Sequence, residues 1–221
     1  MLSHLDCIIF PDRCEVIELI PLQRYVYPIF KNGRSSFHAH AEEHKCRTLI
    51  NNQIKKLDSI DVFLRDPQER LESGINTFIQ MTKRDHPKLD KDTISWFAQN
   101  YLFLNRHYAP QFLWLVNLAR YMNSNAELNF LSMDQLNHAT KWHEKPGGIS
   151  PVSVDLVGQL KNIPNIEMYQ RIDQVLMTLV GKHLRFEQLV EYIKDQDAPA
   201  YDWVIGRSQR ILEPTYALSK T

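Results

Sequence analysis

Twice along this chain a short apolar run rich in aromatic and β-branched residues feeds into a loop of cations or hydroxyls and then into a helical pattern. The first run is Tyr25 to Phe30 (YVYPIF), followed by Lys31-Asn32-Gly33-Arg34-Ser35-Ser36. The second is Asp61 to Arg65 (DVFLR), followed by Asp66-Pro67. Such runs are too short for buried helices and read as strands. Arg47 to Asn51 (RTLIN) and Glu127 to Ser132 (ELNFLS) predict two more. Asp66 and Pro67 read as N-cap and first helical position. Leu71, Ile75, Phe78 and Ile79 then fall on one helical face. Pro110 starts a helix carrying Phe112, Leu113, Leu115, Val116 and Ala119. From Ile166 two helices are predicted, one with Met168, Ile172, Val175, Leu176 and Leu179, the other with Leu184, Phe186, Leu189, Val190 and Ile193. Strands alternating with helices imply an α/β fold. The expectation is a single domain over residues 1–221, with a central, mostly parallel sheet flanked by helices. Residues 137–221 are expected to be mainly helical and to supply an acceptor or lid region. Ligands of such sheets bind at the carboxyl ends of the strands, where both loops sit.

The charge balance narrows the partners. Lys+Arg and Asp+Glu each number 26 in 221 residues, so the chain does not coat nucleic acid by overall charge, although a local basic pocket is allowed. A membrane span needs about 20 consecutive apolar residues. The best run, Phe112 to Ala119, is far shorter and contains Asn117. The opening MLSHLDCIIFPDRC has no basic region and no small-residue cleavage site, which predicts no signal peptide. Cys7, Cys14 and Cys46 imply neither a disulfide framework nor a Cys-rich zinc site. A reduced, cytoplasmic setting is expected.

In the first loop, Gly33 lets the backbone turn tightly so that successive N–H groups can face one anion. Lys31 adds a mobile point charge, and Ser35 and Ser36 add donors. This composition suits a phosphate or sulfate cradle, and equally an ordinary polar strand-to-helix turn. It is not a Walker A loop, because the Lys precedes the only Gly. In the second loop, Arg65 ends a buried strand and Ser73 follows about two helical turns later. A guanidinium and a hydroxyl suit a phosphate dianion. The alternative is that Arg65 caps a carbonyl or pairs with Asp66 while Ser73 is polar surface.

Taken together, strand–KNGRSS–helix and strand–RDPQERLESG–helix resemble the donor-binding pair of the sulfotransferases that use 3′-phosphoadenosine 5′-phosphosulfate (PAPS). The carbohydrate sulfotransferases are the nearest in pattern, including Golgi enzymes and shorter bacterial and phage members. The resemblance implies a P-loop-like fold. It implies that Lys31, Gly33, Arg34, Ser35 and Ser36 hold the 5′-phosphosulfate, and that Arg65 and Ser73 hold the 3′-phosphate. The family often has Pro directly before the Lys, whereas Pro28 here stands three residues earlier. Asn105 to Gln111 (NRHYAPQ) is similar to the family's H-x-x-P-Q stretch, and Asn129 to Leu136 (NFLSMDQL) to its later strand and turn. The likeness covers residues 22–136, with a shorter spacing between the loops than is usual. It implies transfer of the sulfuryl group from PAPS to a hydroxyl or amine of an acceptor, a small molecule or glycan, with adenosine 3′,5′-bisphosphate as product and no metal. The rival readings are a non-catalytic nucleotide-binding relative and a P-loop-type kinase.

Sulfuryl transfer needs in-line attack, a base for the acceptor proton and cations on the leaving oxygens. Lys31 fits the cation. His38, His40 and His44, with Glu42 and Glu43, follow the first loop. A helix starting near Ser35 would put His40 and His44 on one face and His38 on another. His38, His40 and His107 are the candidate bases, each with a surface or core role as its alternative. The His spacing also fits a metal, but no Cys or distant His motif completes a ligand set, so none is expected. Lys141 to Gly148 (KWHEKPGG) reads as a loop over nucleotide or acceptor, or as solvated surface. Trp142 or Tyr27 is a candidate to stack on adenine, or a core aromatic. The acceptor is not legible, because acceptor pockets are built from variable loops.

Overall fold

A computed structural model describes residues 14–29, 31–85, 107, 109–139 and 166–218. Six strands form one sheet: β1 (Glu15–Leu19), β2 (Arg24–Val26), β3 (Thr48–Ile50), β4 (Ser59–Leu64), β5 (Glu127–Ser132) and β6 (His183–Arg185). The order across the sheet is β3-β1-β2-β4-β5-β6. The centre is parallel, with β2 beside β4 and β4 beside β5. The flanks are antiparallel: β1 pairs with β2 and β3, and β6 pairs with β5. The expectation of a mostly parallel sheet therefore holds for the centre and is corrected at both sides. Two strands account for the difference. In β1 the sequence EVIEL has no period of two, because Val16 packs into one core and Ile17 into the other. In β6 the only apolar residue, Leu184, sits in a strand and not in the following helix.

Helices cover both faces. On one face lie α1 (Arg34–Glu43) and α4 (Met133–Ala139), whose Phe37, Ala41 and Leu136 pack on Ile17, Val26 and Phe63. On the other lie α2 (Pro67–Asp85), α3 (Gln111–Ala119), α5 (Ile166–Met177) and α6 (Phe186–Leu218), which enclose the larger core with Val62, Leu64 and Phe130. Asp66 caps α2 as expected, accepting the Glu69 N–H through Oδ1 at 2.9 Å. Leu71 and Ile75 face the core; the side chains of Phe78 and Ile79 lie outside the described ones. Pro110 stands at the N-cap of α3. Asp197 breaks α6 with φ −156° and restarts it by accepting the Ala200 N–H at 3.1 Å.

A polar ladder crosses the central strands and fixes their register. Asp61, 3% exposed, pairs with Arg24 of β2 and accepts from Asn129 Nδ2 of β5 at 2.9 Å. Asn129 Oδ1 meets His183 Nδ1 of β6 at 2.7 Å. A one-residue slip would strand Asp61 in the core without these partners. No helix among the described residues is long and apolar enough to cross a membrane.

Candidate functional site

Both loops singled out in the sequence leave the same edge of the sheet, since β2 and β4 are parallel neighbours. The first turns between Ile29 and Arg34. Lys31 takes φ 69° and Gly33 φ 79°, both left-handed. At Gly33 this conformation and the packing act together: an added Cβ would meet Leu136 Cδ2 at 3.0 Å. Gly33 is also the N-cap of α1, and its carbonyl accepts from Ser36 N and Phe37 N at 2.8 and 3.0 Å. The positive end of a ten-residue helix thus stands directly after the loop. Asn32, 1% exposed, is pinned beneath it by Nδ2 donating to Phe63 O at 2.8 Å and to Gln111 Oε1 at 2.5 Å.

Lys31 reaches across to α2, where Nζ donates to Thr77 Oγ1 at 2.7 Å. Thr77 Oγ1 donates in turn to Ser73 O at 3.0 Å, one turn earlier on the same helix. Arg65 lies just past β4. Its Nη1 donates to Lys31 O at 3.2 Å and its Nε to Glu69 Oε2 at 3.4 Å. Arg65, Ser73, Glu69, Glu72 and Asn76 line a pocket of about 310 Å³. Lys31, Arg65 and Ser73, 42 residues apart at the extremes (73 − 31), are therefore linked through Thr77 and the Lys31 backbone.

The remaining expected residues are placed differently. Arg34 opens α1 and its guanidinium pairs with Glu15 of β1. Ser35 is exposed and Ser36 half-buried in the first turn of α1. His38 is half-buried, with Nε2 3.2 Å from the same Glu15 Oε1. His40 stands in the last turn of α1, about 9 Å along the axis from Arg34. It is 9% exposed, with its ring 4.3 Å from that of His44, so those two do share a face and His38 does not. His107 is buried at 8% exposure. Tyr27 belongs to the core, 3% exposed with its ring 6.4 Å from Trp114, and is not an adenine platform. Trp142 and the Lys141–Gly148 loop lie outside the described residues. Among the described residues no group of three or more His, Cys, Asp or Glu could hold a metal ion. Burial pushes the Cys14 thiol up to about 12, which leaves it unreactive at neutral pH.

Thr77 and Asp173 escape a reading of motifs alone, and Gln111, which closes the NRHYAPQ stretch, carries a role that the motif does not give. Thr77 sits four residues after Ser73, a helical spacing that marks it in retrospect. Gln111, 0% exposed, carries its amide between the two loops. Asp173 is a lone acid beside Ile172 on the apolar face of α5; its Oδ2 and Oδ1 accept from Gln111 N and Phe112 N at 2.9 and 3.2 Å. Burial raises its carboxyl to about 6, against the opposing pull of Arg70 and these N–H donors.

Comparison with protein-family models, with curated proteins and with solved structures gives no match for this chain.

Proposed function

We propose that the protein is a sulfotransferase that moves the sulfuryl group of PAPS to a hydroxyl of an acceptor, a carbohydrate in the first instance. The observation that carries this reading is that Lys31 and Arg65, which follow two adjacent parallel strands, converge with Ser73 on the adjoining helix α2. A ligand with two anionic groups joined through a ribose needs two cationic loops side by side. In this reading the 3′-phosphate sits on Arg65 and Ser73. The phosphosulfate lies over the Lys31–Ser36 turn and the N-terminus of α1. The acceptor oxygen attacks sulfur in line, forming the new S–O bond. The bond from sulfur to the bridging oxygen breaks, and its electron pair stays on the 5′-phosphate of the departing adenosine 3′,5′-bisphosphate. Lys31 stabilises the charge gathering on that oxygen, and a basic side chain takes the acceptor proton.

Calorimetry separates the nucleotide classes. Adenosine 3′,5′-bisphosphate is expected to bind and ATP not to bind. Tight binding of ATP alone would move the reading to a kinase, and binding of neither would remove both. Transfer of labelled sulfate from PAPS to a panel of sugars then separates an enzyme from a relative that only binds nucleotide.

A further inference from the structure

Arg65 lies one residue beyond the last β4–β5 pair, so among the described residues no strand pairs with its backbone. Gln111 supplies the missing partner. Its Oε1 accepts the Arg65 N–H at 3.0 Å and its Nε2 donates to the Arg65 carbonyl at 3.0 Å. The same Oε1 accepts from Asn32 Nδ2, inside the first loop. One buried amide therefore joins the backbone that carries Arg65 to the loop that carries Lys31. The amide is fixed from behind, because Asp173 holds the N–H groups of Gln111 and Phe112. Gln111 is 0% exposed, so these bonds form one buried network that any change in the amide would disturb.

We infer that Gln111 is a positioning residue that sets the separation of the two anion-binding loops, and so selects ligands bearing two phosphates at a fixed spacing. This rests on the donor reading above, in which each loop takes one anionic group. A ligand that spans both loops feels their separation, and a ligand that occupies one loop does not. Loss of Gln111 should therefore weaken a bisphosphate selectively. A role in general stability would weaken every ligand alike.

The test compares adenosine 3′,5′-bisphosphate with adenosine 3′-monophosphate and adenosine 5′-monophosphate, by calorimetry, on wild type, Gln111→Met and Asn32→Ala. Cooperative thermal unfolding checks that each variant folds. Asn32→Ala keeps the Gln111–Arg65 exchange and removes the tie to the first loop together with the Asn32 bond to Phe63 O, so it serves if Gln111→Met does not fold. Wild type should prefer the bisphosphate. Gln111→Met should lose at least about tenfold in bisphosphate affinity while each monophosphate stays within about threefold, and Asn32→Ala should show the same selective loss on a smaller scale. If wild type prefers the bisphosphate and the variants weaken all three nucleotides equally, or keep the full preference, the positioning role is overturned and the donor reading stands. If wild type shows no preference for the bisphosphate, the donor reading fails and the inference fails with it.

Discussion

The guanidinium of Arg65 donates through Nη1 to the carbonyl oxygen of Lys31 at 3.2 Å, so the cation that follows β4 holds the backbone of the loop that follows β2. Lys31 is a non-glycine residue at φ 69°, a conformation that disfavours a Cβ. The Arg65 contact fixes the orientation of that carbonyl. The two candidate anion sites are therefore one mechanical unit, and substitutions in either loop carry a structural and a chemical effect that need separate readouts.

For Arg65→Ala both effects point the same way. The expected loss in affinity for adenosine 3′,5′-bisphosphate is about 2–4 kcal/mol, the size found when one partner of a charged pair is removed. Calorimetry measures it. Affinity unchanged within about twofold, or ~0.4 kcal/mol, would take the 3′-phosphate off Arg65.

At Lys31 the two effects separate. Ala keeps the left-handed strain and loses the Nζ bond to Thr77, whereas Gly loses the bond and relieves the strain. Lys31→Gly is expected to be about 1 kcal/mol more stable than Lys31→Ala in chemical denaturation. Both should cut sulfuryl transfer by at least about 100-fold while changing bisphosphate affinity far less, because the ammonium acts on charge that develops in the transition state. Equal losses in transfer and affinity would show that Lys31 only binds.

Among the three candidate bases, His38 alone combines partial exposure with a carboxylate on its ring, Glu15 Oε1 at 3.2 Å from Nε2. His40 and His107 are buried. His38→Ala is expected to lose about 100-fold or more in transfer with little change in bisphosphate affinity. His40→Ala and His107→Ala should lower the melting temperature more than the turnover. Transfer that survives in His38→Ala moves the role to the other histidines, then to Glu42 or Glu43. Strong chelators should leave activity in place; a loss restored by zinc would argue for a metal bound through the histidines.

Much of this architecture is legible in the chain itself. The strand at Glu127–Ser132 and the Asp66 cap follow from local pattern, because the apolar alternation of Leu128 and Phe130 and the cap chemistry act over a few residues. The convergence of Lys31 with Ser73 is legible only through the order of the two strand–loop–helix units. Gln111 is visible as the end of the NRHYAPQ stretch but its role is not, and Asp173 is not legible at all, since both depend on partners 46 and 62 residues away. The three-residue strand β6 escapes for a related reason: its hydrogen bonds to β5 form it, and its own residues carry no strand signal. Glu15 likewise gains its meaning only when β1 lies beside α1, where it meets both Arg34 and His38.

Asp173 gives the fold a defined pH response. Its carboxyl rises from 3.8 to about 6 on burial, so the folded state keeps the proton to higher pH than the unfolded chain. Its contribution to stability is therefore greatest below pH 3.8 and falls as pH rises through about 6. The size is about 3 kcal/mol for a shift of roughly two units. Asp173→Asn removes the titration. The unfolding free energy of wild type minus that of Asp173→Asn should fall by about this amount between pH 4 and pH 7. Urea titrations at several pH values measure it, and a difference independent of pH would show that Asp173 stays charged throughout. Glu18 runs the other way: its hydrogen bond from Arg47 lowers its carboxyl, so that contribution is lost on acidification. The wild-type minus variant difference cancels it.

On the proposed donor reading, Glu69 competes with the 3′-phosphate for Arg65. Its Oε2 stands 3.4 Å from Arg65 Nε, and both side chains line the same pocket together with Glu72. On that reading a phosphate at Arg65 would meet this carboxylate, whereas the Arg65 Nη1 bond to Lys31 O uses a different nitrogen. Glu69 is exposed, so the pair itself contributes little to stability. Glu69→Gln keeps the length and polarity of the side chain and removes its charge. The variant is expected to bind adenosine 3′,5′-bisphosphate about two- to fivefold more tightly at low salt, with the gain shrinking as ionic strength rises and screens the carboxylate in wild type. Unfolding free energy should stay within about 0.5 kcal/mol of wild type. Weaker binding in Glu69→Gln would mean that the carboxylate accepts a hydrogen bond from the nucleotide, which would place a sugar hydroxyl, and not only the phosphate, against this turn of α2.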